Sequence, residues 1–149
     1  MTDFFISQST LYLMQLLAVT YVLESKDKTI AFYSVLNDKV QRTTKTSKNV
    51  PNKKRHYTYP AVKIGRLGVH KDYQRIGIGR MVLDHIKKAF AYDNKTGCRF
   101  ITVDAYNKPD VLSFYIKNEF MLFSESDKKD MTRLLYYDLI DIVPTWVPA

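Results

Sequence analysis

Residues 74 to 80 read QRIGIGR and stand directly before a strongly periodic segment, MVLDHIKKAF. Two glycines one residue apart, Gly77 and Gly79, let a backbone turn tightly and come close to a ligand. If a helix starts here, the N–H groups from Arg75 to Arg80 lack intrahelical acceptors and are collectively positive, which suits a pyrophosphate. Arg75 and Arg80 add side-chain charge for phosphate oxygens. Two better-known phosphate motifs are excluded. A dinucleotide fold needs a third glycine where Val82 stands, and a nucleoside-triphosphate loop needs Gly-Lys-Ser/Thr, which is absent. Taken alone, the stretch also fits a glycine turn that merely joins strand to helix.

The elements that must position this bend follow from pattern. Ile78, Met81, Val82, Ile86, Ala89 and Phe90 recur at three- and four-residue spacing, a stripe for packing on a sheet, and DNKTG ends the helix. Lys87 and Lys88 fall near its last turn, where cations complement the helix dipole. Upstream, AVKIGRLGV alternates Val62, Ile64, Leu67 and Val69, with Gly65 breaking the period, so a bulged central strand is expected over residues 61–69. Splayed at Gly65 to Gly68, that strand would offer free backbone donors and acceptors to an extended ligand. LAVTYVLES and TIAFYSVLN read as an antiparallel hairpin. Thr2 or Asp3 can cap a helix running to about Gln15. The stretch QRTTKTSKNVPNKKRHYT has almost no apolar side chain with which to order itself and reads as a long loop. The strand CRFITVDA, a helix from about Pro109 to Lys117, a short strand FMLFS and a final strand TRLLYYDLI complete the chain. This order implies an α/β or α+β fold, a sheet covered on both faces, in a single domain over residues 1–149.

The whole chain narrows the function classes. Its 149 residues, 46% hydrophobic and 13% aromatic, suffice for one core. No apolar run approaches the roughly 20 residues needed to span a bilayer, and no signal-peptide pattern opens the chain, so a cytoplasmic protein is expected. Cys98 is the only cysteine and reads as a small core residue. His56, His70 and His85 share no ligand spacing, and no metal is expected. The net charge is +8. Ten basic and no acidic residues fall between Lys39 and Lys71, while the remainder carries 13 basic against 15 acidic groups. Such a block fits either a solvated loop or a polyanionic partner, RNA or a phosphate-rich cofactor.

At these residues the sequence resembles the GCN5-related N-acetyltransferases (GNAT). The strand RLGV followed by QRIGIG matches that family's Gln/Arg-x-x-Gly-x-Gly/Ala loop, and VDAYNKPDVLSFYIKNEFM is similar to its second signature. More narrowly, YPAVKIGRLGVHKDYQRIGIG, VDA, FY and TRLLYYDL are similar to the toxin branch of toxin–antitoxin modules that acetylates aminoacyl-tRNA. The resemblance covers roughly Leu17 to Leu139. It implies a mixed, mostly antiparallel central sheet flanked by helices, short of the family's usual first strand and helix. It also implies acetyl-CoA as cosubstrate, bound by Leu67, Gly68, Val69, Gln74, Arg75, Ile76, Gly77, Ile78, Gly79 and Arg80. Tyr115 aligns with the family's general acid, and amides around Gly68 and Val69 with its oxyanion donors. A phenol of pKa about 10 can protonate a departing thiolate whose conjugate acid lies near 8.5. Tyr115 as one more packed aromatic among eleven tyrosines is the competing reading.

The strand AVKIGRLGV carries no carboxylate where many relatives place a Glu that serves basic amines. An ε-amine of pKa about 10.4 needs help losing its proton, whereas an α-amine near 7.7–8.0 is already partly neutral. The expected acceptor is therefore an α-amine, and aminoacyl-tRNA joins that amine to the polyanion the basic segment suits. Asp104 is either a base or a cap or salt-bridge partner. Glu119 stands before Phe120 where relatives usually have Gly, so an altered turn is expected. Asn107 and Lys108 straddle the position of a cofactor-contacting Asn and receive no role. An antitoxin and a second copy of the chain are the other partners in view. The alternative is a shortened acetyltransferase fold that binds CoA or RNA without turnover.

Overall fold

The computed structural model describes residues 9–52 and 55–143. Six strands form one sheet in the order β1-β2-β3-β4-β6-β5. They are β1 (Val19–Ser25), β2 (Lys28–Gln41), β3 (Thr58–Val69), β4 (Phe100–Tyr106), β5 (Met121–Leu122) and β6 (Thr132–Asp138), with helices α1 (Ser9–Met14), α2 (Ile78–Tyr92) and α3 (Pro109–Lys117). Thr2 and Asp3, the expected caps of the first helix, lie outside the described residues. Lys26 and Asp27 join β1 to β2 with φ of 48° and 67°, the left-handed pair that a tight two-residue hairpin demands. All neighbouring pairs are antiparallel except β3 with β4.

Two features of β3 shape the molecule. Ser34 pairs with Arg66 and Val35 with Ile64, so Gly65 is the extra residue of a β-bulge. A Cβ on it would lie 3.1 Å from Leu36 Cδ2. Because one residue is looped out, Ile64 and Leu67 lie on the same face although three positions apart, and Leu67 and Val69 join Val62 and Ile64 against the main core. The second feature is divergence. β3 pairs with β4 only from Ala61 opposite Phe100 to Ile64 opposite Val103. Beyond that point residues 66–69 pair only with β2, and Asp104–Tyr106 only with β6. A V-shaped slot opens between the strands.

Both α2 and α3 pack on one face, where Leu83, Ile86, Ile101 and Leu135 are wholly buried. At about 25 cal/mol per Å² of apolar surface, side chains of this size each contribute about 1.5–3 kcal/mol. The expectation of cover on both faces holds, but the second cover is a loop rather than a helix. Val40, Tyr59, Ala61, Phe100 and Tyr136 form that smaller cluster, with Val50 and Phe123 against it. The polar segment after β2 orders itself with hydroxyls instead of hydrocarbon. Thr46 donates to Gln41 O at 2.9 Å, accepts from the Thr43 amide at 2.8 Å and is completely buried, while Ser47 donates to Thr43 O at 2.6 Å. Arg99 reaches Asn49 O, and Lys45 reaches Leu122 O. Cys98 is a buried core thiol, pushed up to about 11 by burial.

Candidate active site

The bend before α2 is built from left-handed backbone. Arg75 has φ 63° and Gly77 φ 87°, and Gly77 is the N-cap of the helix. No heavy atom lies within 4 Å of where a Gly77 Cβ would be, so glycine is required there by conformation and the space beside it is open. Gly79 has a different reason: its Cβ would stand 3.0 Å from the Phe114 ring of α3. The first internal bond of α2 runs from Met81 N to Gly77 O at 3.0 Å. Among the described residues, none of the six amides of Arg75 to Arg80 donates a well-formed backbone hydrogen bond. Gln74 braces the bend by donating from Nε2 to Val69 O at 3.0 Å.

The strand edge supplies further donors. His70 N bonds Ile30 O at 2.7 Å. Alternation along the antiparallel pair then turns Gly68 toward Phe32 and leaves the amides of Leu67 and Val69 facing the slot. Of the two expected oxyanion donors, Val69 is the one on the slot side.

Bend, strand end and α3 enclose an open groove of about 750 Å³. It brings together Leu67, Val69, Gln74, Arg75, Gly77, Gly79 and Arg80 with Tyr115. Three expected residues do not line it: Gly68 faces β2, Ile76 projects outward and Ile78 packs into the core. Tyr115 is buried, edge-on to Phe114 at 5.1 Å and to Phe120 at 5.5 Å, and burial pushes its phenol up to about 12. Its hydroxyl has no hydrogen-bond partner among the described residues. Sequence reasoning missed Asp110, Val111, Phe114, Lys117 and Asn118, which complete the α3 wall. Their spacing with Tyr115 along one helical face was the available signal.

The C-terminal turn of α3 fixes that tyrosine. Phe120 N bonds Tyr115 O at 3.0 Å and Glu119 N bonds Ile116 O at 3.0 Å, the paired bonds of a Schellman motif, with Phe120 packed on Tyr115. Glu119 takes φ 73° there. The turn expected to be altered is therefore kept, and Glu119 carries the strain that glycine would avoid.

Across the slot, on the face away from Tyr115, Lys63 Nζ lies 2.7 Å from Asp104 Oδ2 and 3.8 Å from Asp38 Oδ2. Burial alone would lower the Lys63 pKa, but the two carboxylates outweigh it and hold it raised. Asp104 is thus a salt-bridge partner. Asn107 donates from its side chain to Lys128 O and Asp130 O, each at 2.9 Å, and so ties down the β5–β6 loop. Among the described residues no group of three His, Cys, Asp or Glu could hold a metal, and no helix is long and apolar enough to cross a membrane.

Residues 17–122 match the acetyltransferase (GNAT) domain. The chain belongs to the GNAT acetyltransferase family. Its class of chemistry is N-acetyl transfer, on a fold that uses acetyl-CoA. Its fold is similar to that of AtaT complexed with acetyl-methionyl-tRNAfMet, with a TM-score of 0.76 at 16% identity over 93% of this chain and 81% of that one. It is similar also to a KacT mutant, with a TM-score of 0.75 at 20% identity over 93% and 81%. AtaTR bound with AcCoA gives 0.71 at 16% identity over 93% and 80%. At these identities the likeness is one of fold. No curated protein matches the sequence.

Proposed function

We propose that this GNAT protein transfers the acetyl group of acetyl-CoA to the α-amine of an aminoacyl-tRNA. The observation that carries the donor half is the row of free amides from Arg75 to Arg80, opening on the groove that Tyr115 also lines. These amides, with the Arg75 and Arg80 guanidinia, hold the diphosphate. The free edge of β3 pairs with the extended pantetheine arm, and Leu67 and Val69 floor it. When the acceptor nitrogen attacks the thioester carbonyl, the Val69 amide donates to the developing oxyanion. On collapse the C–S bond breaks and Tyr115 gives its proton to the sulfur, while the nitrogen sheds a proton to solvent, from which the phenolate is reprotonated. At a pKa of about 12 the phenol is fully protonated at neutral pH, so the acid is always loaded.

The acceptor half rests on charge and chemistry. Lys39, Lys48, Arg55 and Lys71 are exposed, whereas Lys45 and Lys63 are engaged within the fold. Asp104, the one carboxylate weighed as a base, is engaged by Lys63, which suits an amine that is already partly neutral at working pH. AtaT, similar in fold, is seen with acetyl-methionyl-tRNAfMet, and also with the C-terminus of the antitoxin AtaR, so an antitoxin partner belongs to the same reading. The test is incubation with labelled acetyl-CoA and separate pools of charged tRNA, peptides and polyamines. Label in the charged-tRNA pool, lost when the aminoacyl ester is hydrolysed, is the expected result. Label in peptide or polyamine alone would overturn the acceptor, and absence of label with intact CoA binding would overturn turnover itself.

A further inference from the structure

Lys87 was legible in the sequence only as a cation near the end of α2. The structure buries it, with 4% of its surface exposed. Lysines are almost never buried without a partner. Among the described residues no carboxylate lies within ion-pair distance of it. Its Nζ instead donates to the main-chain oxygen of Asn118 at 2.6 Å, and lies 4.2 Å from the Tyr137 ring centroid and 5.6 Å from that of Phe120. Burial lowers its pKa, countered by the more distant Glu119 and Asp84 and reinforced by Arg80.

The acceptor oxygen matters because Asn118 is the C-cap of α3. A helix C-terminus carries partial negative charge that a cation complements. The Asn118 side chain donates back to Phe114 O at 2.7 Å, and Phe120 N closes on Tyr115 O. One ammonium therefore bonds the residue that caps the turn holding Tyr115, and lies over the phenyl ring packed on Tyr115. The same lysine belongs to the helix whose first turn presents the free amides. From Ile78 to Lys87 is nine residues, about 13.5 Å of helix.

We infer that Lys87 is a positioning residue for Tyr115: by clamping the end of α3 to α2, it fixes the acid at a set distance from the bend that binds the donor. This rests on Tyr115 being the acid, and the experiment separates the two. Lys87→Met removes the charge and the donor at similar length, and Lys87→Gln keeps an N–H donor without charge. Each is measured alone and in a Tyr115→Phe background, with thermal melts to establish folding. Lys87→Met is expected to lower kcat at least tenfold with the KM for acetyl-CoA within about twofold, Lys87→Gln to recover part of that loss, and the double variant to be no slower than Tyr115→Phe alone, since residues acting through one another are not additive. A readout independent of rate is the 19F resonance of 3-fluorotyrosine incorporated at position 115, expected to be single in the parent and broadened or split in Lys87→Gln. An equal loss in both backgrounds, or an unchanged resonance in a folded Lys87→Gln protein, overturns the inference. If Tyr115→Phe transfers at the parental rate, the acid assignment falls instead, and the resonance still decides whether Lys87 places that ring.

Discussion

The N-terminus of α2 and the C-terminus of α3 border one groove, yet they are finished in opposite ways. At α2 six successive amides make no well-formed backbone hydrogen bond among the described residues, and the cap is a glycine in left-handed conformation with open space around it. At α3 the carbonyls of Phe114, Tyr115, Ile116 and Asn118 all accept hydrogen bonds, and a buried ammonium closes the end. A helix end left unsatisfied is ready to take a ligand, because the ligand supplies the missing partners. A helix end satisfied several times over is rigid, because each bond would have to be given up for the turn to move. Binding is assigned to the first and geometry to the second. Both ends hold a residue at positive φ, Glu119 at α3 and Arg75 and Gly77 at α2, and only the α2 cap is a glycine, with open space beside it.

The comparison can be broken most severely at Tyr115. Tyr115→Phe should lower kcat by about 10²–10⁴, the range for loss of a general acid, while calorimetric affinity for acetyl-CoA stays within a few-fold. The opposite end should respond in the opposite manner. Gly77→Ala forces a side chain into the left-handed region at a cost of about 1–2 kcal/mol, so acetyl-CoA affinity should fall roughly tenfold with kcat at saturation much less affected. A fall in kcat alone would place Gly77 on the chemical side of the division.

The pH profile sharpens the same contrast. kcat/KM for charged tRNA should rise to a plateau with an apparent pKa of about 7.7–8.0 from the α-amine. No descending limb from Tyr115 should follow below pH 10, because burial raises its phenol to about 12. For stability the sign is fixed by the same shift. The folded pKa lies above the unfolded value of 10.0, so the contribution is whole below pH 10 and is lost as pH rises toward 12. Denaturant midpoints across that range measure it. The smallest effect belongs to Glu119→Gly. Relief of left-handed strain, about 1–2 kcal/mol, exceeds the entropy cost of glycine, about 0.4–1 kcal/mol, so the melting temperature should rise by roughly 2–4 °C. The rate should not change, since the Schellman bonds are already in place.

What was legible in the sequence was local. Pro109 at a first turn marks the start of α3, which runs from Pro109 to Lys117 as expected. The broken alternation at Gly65 announces the bulge, and the glycine-punctuated bend announces free amides. What was hidden depends on partners distant in the chain. Lys87 reads as a cation near the last turn, complementing the helix dipole, until Asn118, 31 residues later, is folded onto it. The segment after Gln41 reads as unable to order itself because hydroxyl-to-backbone bonds, which hold residues 43–47, leave no hydrophobic pattern. The final strand stops at Asp138, short of the apolar run LI, because the Asp138 carboxylate takes the Ile140 amide and Arg99.

Gly65 shows that a site can be encoded by chain length as well as by residue identity. A protein shortened by that one position would keep Leu67 and Val69 on their present side, since the looped-out unit is the one that alternation skips. The strand would lose its kink, and the edges of residues 66–69 and 104–106 could zip together. An excision silent to every side chain would thereby heal the cleft to which the proposed function assigns the thioester.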